Sequence, residues 1–332
     1  MYSLVPLGNW IAINAVQQSN PNKKMKERNM TTSHLRKSIG RSPLRLGFLV
    51  IPLALGCFAL SPTARAVSPP PDGGYPNQNT AEGDNALFSL TTGNDNTAIG
   101  SQALFSITTA IQNTANGAGA LQNNTGSFNT AMGFRALFTN TTGQANTAIG
   151  LRTLFNNTTG SNNTGIGTNT LFSNTTGSFN TATSQGALGL NTTGSSNTAT
   201  GEDALGLNTT GNENTATGRY ALVSNTTGSD NTANGFQALE ANTTGIQNTA
   251  TGTNALQNNT TGQDNVATGL QALQFNTTGL HNVATGVNAL IFNTTGGLNT
   301  ATGGGAMEMN TTGIENAAHG YAALIKQHHW QR

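Results

Sequence analysis

The sequence predicts an all-β fold, a β-solenoid or β-roll of about fifteen 17-residue coils. Three observations carry this prediction. The stretch Asn191 to Leu207, NTTGSSNTATGEDALGL, returns seventeen residues later at Asn208, and again at Asn225, Asn242, Asn259, Asn276, Asn293 and Asn310. A fixed period in this range is the signature of a repeat architecture. Each unit holds glycine at two fixed places, which reads as two corners with positive φ. Between the corners, β-branched residues alternate with Ala, as a short strand requires.

The unit is N-T-T-G-x-x-N-T-A-t-G-x-x-A-L-x-x. Its second Asn is present in every copy, from Asn79 and Asn96 to Asn299 and Asn316. Stacked coils put identical residues about 4.8 Å apart, the spacing at which Asn side chains form hydrogen-bonded ladders. N-T-A-t is the strand. Its second residue exchanges Thr for Val (Val266, Val283), and its fourth exchanges Thr for Ile (Ile149, Ile166). The A-L segment reads as a second strand with Leu pointing to a core. One unit has 16 residues because Asn123-Asn124-Thr125-Gly126 lacks a Thr, so the deletion falls in the N-T-T-G turn. A helical reading fails, because two glycines and several Thr per unit give poor helix propensity. Fifteen coils make a rod on the order of 70 Å long.

The N-terminal part divides differently. Residues 1–29 read as an upstream extension or a mis-assigned start before Met30. Residues 30–66 read as a signal peptide: Arg36, Lys37, Arg41 and Arg45, then an apolar run from Leu46 to Leu60, then Ala64-Arg65-Ala66. That order matches a secretory signal, and the run is short for a transmembrane helix. Ala54-Leu55-Gly56-Cys57 loosely resembles a lipobox and offers a lipid anchor at Cys57 as the alternative. Residues 67–78, with Pro69-Pro70-Pro71, read as a linker. Residues 79–325 are the array, and 326–332 a tail. The expected location is secreted or cell-surface.

Composition excludes several functions. The chain is 8% charged, and nine of its 14 basic residues precede Val67. The remaining part is mildly acidic, with no basic stripe to neutralise phosphates, so nucleic acid is not an expected partner. The single cysteine, Cys57, forms no internal disulfide. Asp and Glu fall in variable slots without a repeated pair, and His328-His329 lacks further ligands. No catalytic, cofactor or metal site is therefore expected, and the chain reads as a non-enzyme.

Two surface features point to partners. Leu104-Phe105, Leu137-Phe138, Leu154-Phe155 and Leu171-Phe172 each place one side chain away from the coil. A row of exposed Phe invites association, and a homo-oligomer, a trimer, is expected. The pairs Glu202-Asp203, Arg219-Tyr220, Phe236-Gln237 and Leu270-Gln271 fill one variable slot and read as a recognition stripe for a surface protein or glycan.

The pattern G-x-x-N-T-A-I-G at Gly93 to Gly100 and Gly143 to Gly150, followed by A-L, resembles the head repeats of trimeric autotransporter adhesins. It is also similar to the NTAxG-xxAL arrays of bacterial secreted and tail-fibre-like proteins. The resemblance covers about Asn79 to Leu324. It implies a left-handed trimeric β-roll outside the cell, with an adhesive role. The expected function is thus an exported structural and adhesive rod. The competing readings are a monomeric ice- or carbohydrate-binding solenoid and a piece of a longer fibre protein. The Thr pairs at Thr198/Thr200, Thr215/Thr217, Thr249/Thr251 and Thr300/Thr302 separate the first two. Their exchange with Val266, Ile149, Ile166 and Met132 predicts that they face inward. The N-T-T sequons from Asn140 to Asn310 match the glycosylation pattern but read as turn residues of the repeat.

Overall fold

Each unit forms one coil, and each coil opens on its invariant Asn. The computed structural model describes residues 75–325. The stretch read as a signal peptide, residues 67–74 of the linker and the tail lie outside the described residues. Every unit supplies one three-residue strand, beginning with β1 (Thr80–Glu82), β2 (Thr97–Ile99), β3 (Thr114–Asn116) and β4 (Thr130–Met132). The series runs on through β7 (Thr181–Thr183), β8 (Thr198–Thr200) and β14 (Thr300–Thr302) to β15 (Ala317–His319). The strands form a single parallel sheet in sequence order. Residues 17 apart pair, as Thr232 does with Thr249 and Ala233 with Ala250. From β3 to β4 the step is 16 and the register holds, with Thr114 opposite Thr130. The missing Thr is absorbed in the turn, where Asn124 still accepts from Asn140. The architecture is therefore a parallel β-solenoid, as the repeat predicts.

Its core is thin. In the coil opened by Asn197, the wholly buried side chains are Asn197, Ala199, Ala204, Leu205 and Asn208. Two of the five are amides, and both belong to continuous ladders. In the strand-start ladder, Asn214 donates from Nδ2 (3.1 Å) and from its backbone N–H (3.0 Å) to Asn197 Oδ1. In the turn ladder, Asn208 Nδ2 donates to Asn191 Oδ1 at 2.8 Å. The two ladders meet on one carbonyl: Gly211 O accepts from Asn197 Nδ2 at 2.8 Å and from Asn208 Nδ2 at 3.0 Å. Each amide thereby meets the demand that a buried polar group be paired. The turn-ladder Asn residues are also the sequon residues. Asn157, Asn174 and Asn191 are wholly buried with their amides committed, which leaves no access for a glycan in the folded coil.

The structure corrects three sequence expectations. The A-L segment is a turn, not a second strand. Its Leu does point into the core, but from the left-handed region, with φ near 50° at Leu104, Leu205 and Leu256. That conformation costs a non-glycine residue about 1–2 kcal/mol. Complete burial of the Leu side chain contributes about 2 kcal/mol and offsets it, so Leu occupies a position whose backbone alone would suit Gly. The second correction concerns the N-T-T-G glycine. The strand-end glycines take positive φ, as at Gly235 (+144°), but Gly211 does not. A Cβ at Gly211 would lie 2.3 Å from Gly228 O and 2.5 Å from Asn208 Oδ1, so close packing of successive coils demands glycine there.

The third correction concerns the Thr pairs. They face outward. The strand's middle residue is buried in every coil, and its first and third residues project away from the core. The physical reason is the depth of the core: the A-L turn crosses so close behind the strand that only Ala or Gly fits inside. Gly165 makes the point. It stands where other strands have Ala, and a Cβ there would lie 2.6 Å from Thr153 Cγ2. Thr153 replaces the Ala of the A-L pair and donates to the carbonyl of Gly167. The larger residue on one wall is matched by the smaller on the other. Gly165→Ala should therefore destabilise the array by about 1–3 kcal/mol through overpacking, and Thr153→Ala should relieve most of that cost. Thermal melts of the two single variants and the double variant measure the coupling.

Candidate functional site: three surfaces of the solenoid

No group of three His, Cys, Asp or Glu side chains converges to hold a metal among the described residues. No helix among them is long and apolar enough to cross a membrane. The surfaces that differ from a uniform repeat are the strand face, the variable stripe and a groove beside an aromatic column.

The strand face is built from the outward first and third residues. From β2 to β14 it carries Thr, Ile, Val, Met and Asn and no ionisable side chain; Glu82 and His319 stand at its two ends. Its apolar knobs, Ile99, Met132, Ile149, Ile166, Val266 and Val283, are 37–43% exposed. From β7 onward the third position is mostly Thr, so the face changes from Ile- and Met-bearing to paired Thr along the rod.

The predicted stripe is a real line at coil spacing, because its backbone is bonded from coil to coil. Tyr220 N–H donates to Glu202 O at 3.0 Å, and Gln237 N–H donates to Arg219 O at 3.1 Å. Glu202, Arg219, Phe236 and Leu270 project outward. Asp203, Tyr220, Gln237 and Gln271 are half-buried at φ of 54–60°. Arg219 ties three members together: Nε lies 3.0 Å from Glu202 Oε2, Nη2 donates to the Tyr220 hydroxyl at 2.8 Å, and the guanidinium sits 4.4 Å over the Tyr220 ring. Half-exposed pairs of this kind contribute roughly 0.2–1 kcal/mol. Gln237 Nε2 turns along its own coil to Glu240 at 3.1 Å. Leu270-Gln271 lie two coils beyond Phe236-Gln237, with Thr253-Asn254 between. The structure thus gathers six of the eight residues on three successive coils and leaves the last pair apart.

The third surface is one that sequence reasoning misses. The Phe rows run along the slot after the buried Leu. Phe138, Phe155 and Phe172 stack at 5.2 and 5.3 Å with interplanar angles of 2° and 9°, and Arg135 covers the start of the column, 5.2 Å from the Phe138 centroid. These rings are half-buried by one another rather than fully exposed. After Phe172 the same slot holds Gly189, then Gly206, then Val223. A groove of about 450 Å³ opens there. The sequence signal for it is the extra glycines at Gly186, Gly189 and Gly206, outside the two glycine places of the repeat.

Comparison with known proteins adds no assignment to these surfaces: the chain matches no protein-family model, no curated protein and no solved structure.

Proposed function

We propose that this chain is an exported structural and adhesive rod that works as a homo-oligomer, a trimer, joined through its strand face. The observation that carries the reading is the face itself: a continuous, uncharged surface of Thr studded with Ile, Met and Val. Between β2 and β14 it measures roughly 60 Å by 10 Å, on the order of 600 Å². That approaches the ~800 Å² per partner of a standard interface, and the exposed Ile99, Met132, Ile149, Ile166, Val266 and Val283 side chains give it apolar points of association along a row of Thr. The strip is one three-residue strand wide, which suits several rods packed about a common axis. The stripe with Glu202, Arg219 and Phe236 then remains free to meet a surface protein or glycan. The resemblance to adhesin heads and the signal-like pattern of residues 30–66 support placement outside the cell.

One specific observation favours a second reading. The outward Thr pairs Thr181/Thr183, Thr198/Thr200 and Thr215/Thr217 stand on three successive coils and recur at Thr249/Thr251 and Thr300/Thr302, and such an array orders water as an ice-binding or carbohydrate-binding monomer would. Mass separates the two. Ile149→Lys combined with Ile166→Lys places two charges on the strip without touching the core. Light scattering should show the oligomer falling to a monomer with the β-type circular dichroism unchanged. A wild-type monomer that holds a supercooled solution below its melting point would instead favour the Thr array as an ice-binding surface.

A further inference from the structure

The groove beside Phe172 has features of a ligand site that the strand face and the stripe lack. The column Phe138–Phe155–Phe172 stacks with parallel rings at 5.2 and 5.3 Å. At Gly189 and Gly206 the column loses its side chains for two successive coils and resumes at Val223. Three coil steps, about 14 Å, separate the Phe172 slot from the Val223 slot. The face of Phe172 turned toward Gly189 has no ring against it. The walls carry Leu207 and Val223, and one basic and one acidic side chain, Arg152 and Asp203, line the same groove. The Asp203 carboxylate occupies the space that a side chain at Gly186 would need, since a Cβ there would lie 2.0 Å from Asp203 Oδ1. The volume of about 450 Å³ falls in the range of small-molecule sites.

We infer that this groove binds a neutral pyranose ring of a glycan, stacked on Phe172 as the next member of the column. The chemistry selects this ligand class. An aromatic face is negative at its centre and attracts the weakly positive C–H face of a sugar ring. A ligand carrying net charge meets one favourable and one unfavourable partner in Arg152 and Asp203. A neutral polyol uses both, donating a hydroxyl to Asp203 and accepting from Arg152. The ring spacing of the column sets the ring position, so binding adds a layer at the spacing already present. This site is independent of the strand face and of the oligomeric state.

The test uses the whole chain and a panel of neutral probes, the methyl glycosides of glucose, galactose, mannose and N-acetylglucosamine with their β-linked disaccharides, read by titration calorimetry and saturation-transfer NMR. Two substitutions refill the slot. Gly189→Phe continues the aromatic column across the gap. Its backbone has ordinary φ, and the same slot carries a side chain two coils further on, at Val223. Gly189→Val puts the residue of the Val223 slot into the same layer and serves where Gly189→Phe does not fold. The expected result is saturable binding of at least one neutral glycoside by the wild type. Phe172→Leu should weaken it about tenfold. Gly189→Phe or Gly189→Val should abolish it with the β-type circular dichroism retained, the added Cβ lying 3.0 Å from Gly186 O. Failure of every glycoside to bind the wild type would overturn the proposal, and so would binding that survives when the slot is refilled. Saturation by an aromatic amino-acid ester with no glycoside bound would overturn it in favour of an aromatic side chain from a protein.

Discussion

Gly211→Ala should separate the solenoid into two independently melting pieces. The added methyl would lie 2.3 Å from Gly228 O and 2.5 Å from Asn208 Oδ1. Both are buried atoms held by the ladders, and neither is the free end of a flexible side chain. Relief requires prising two coils apart, which also breaks the Asn225 Nδ2 to Asn208 Oδ1 rung (2.8 Å) and the hydrogen bonds from the Thr209 and Thr210 backbone N–H groups to Thr226 O. The expected loss is about 4–5 kcal/mol, in the range reserved for changes that disrupt a buried network. In a solenoid each coil contacts only its neighbours, so the damage stays local and appears as a split transition. Gly320→Ala is the internal control. Gly320 has φ of +112°, but a Cβ added there would meet no atom within 4 Å, so the substitution incurs only a conformational cost of about 1–2 kcal/mol. Thermal melts by circular dichroism, with amide exchange to locate the opened coils, compare the two. Equal melting temperatures for the two variants would contradict the close packing invoked for the N-T-T-G glycine.

The second large effect is expected at the strand-start ladder. Asn214 donates to Asn197 Oδ1 and to Gly228 O, and its own Oδ1 accepts from Asn231 through both the backbone N–H (3.0 Å) and Nδ2 (3.2 Å). Asn214→Leu keeps much of the volume and removes every one of these bonds. It leaves the Asn231 backbone N–H buried without an acceptor, at a cost of about 1–3 kcal/mol for that group alone. Losing one rung also weakens its neighbours, because chained amides polarise one another. The total should reach about 3–4 kcal/mol by urea denaturation. Asn316→Leu should cost much less, since Asn316 is the last rung among the described residues and is only partly buried. A ladder that contributes nothing would give equal, small losses at both places.

Much of the fold is legible in the sequence because repeat units compare themselves within one chain. The invariant Asn points to a ladder at coil spacing, and the returning Leu points to a core. The 16-residue unit locates its deletion in the turn, and each of these holds in the structure. The Thr facing misleads because apolar exchange suggests burial. Here the constrained slot is the one that admits only Ala or Gly, whereas Thr, Ile, Val and Met alternate on the outside because the core places no demand on them. The A-L turn misleads because no propensity signals a leucine at positive φ; only the burial of Leu205 and its counterparts offsets that conformation. The turn-ladder Asn and the meeting of both ladders on Gly211 O are hidden because N-T-T-G reads as an ordinary turn. Of the surfaces, the stripe follows from its variability, while the groove depends on successive coils being stacked in register before Gly186 and Gly189 of one coil and Gly206 of the next come together beside Phe172.

That register is the central claim, and distance measurement between paired spin labels tests it most directly. Thr193, Thr244 and Thr295 are exposed and occupy equivalent places in coils three and six steps apart. Each is changed to Cys in pairs for labelling, with Cys57 replaced by Ser and labelled chains diluted in unlabelled ones. The Thr193–Thr244 pair should then lie about 14 Å apart and the Thr193–Thr295 pair about 29 Å apart. Separation growing in proportion to the number of coils is the predicted result. A separation that fails to double between the two pairs would contradict in-register stacking, and with it the ladders, the strand face and the groove.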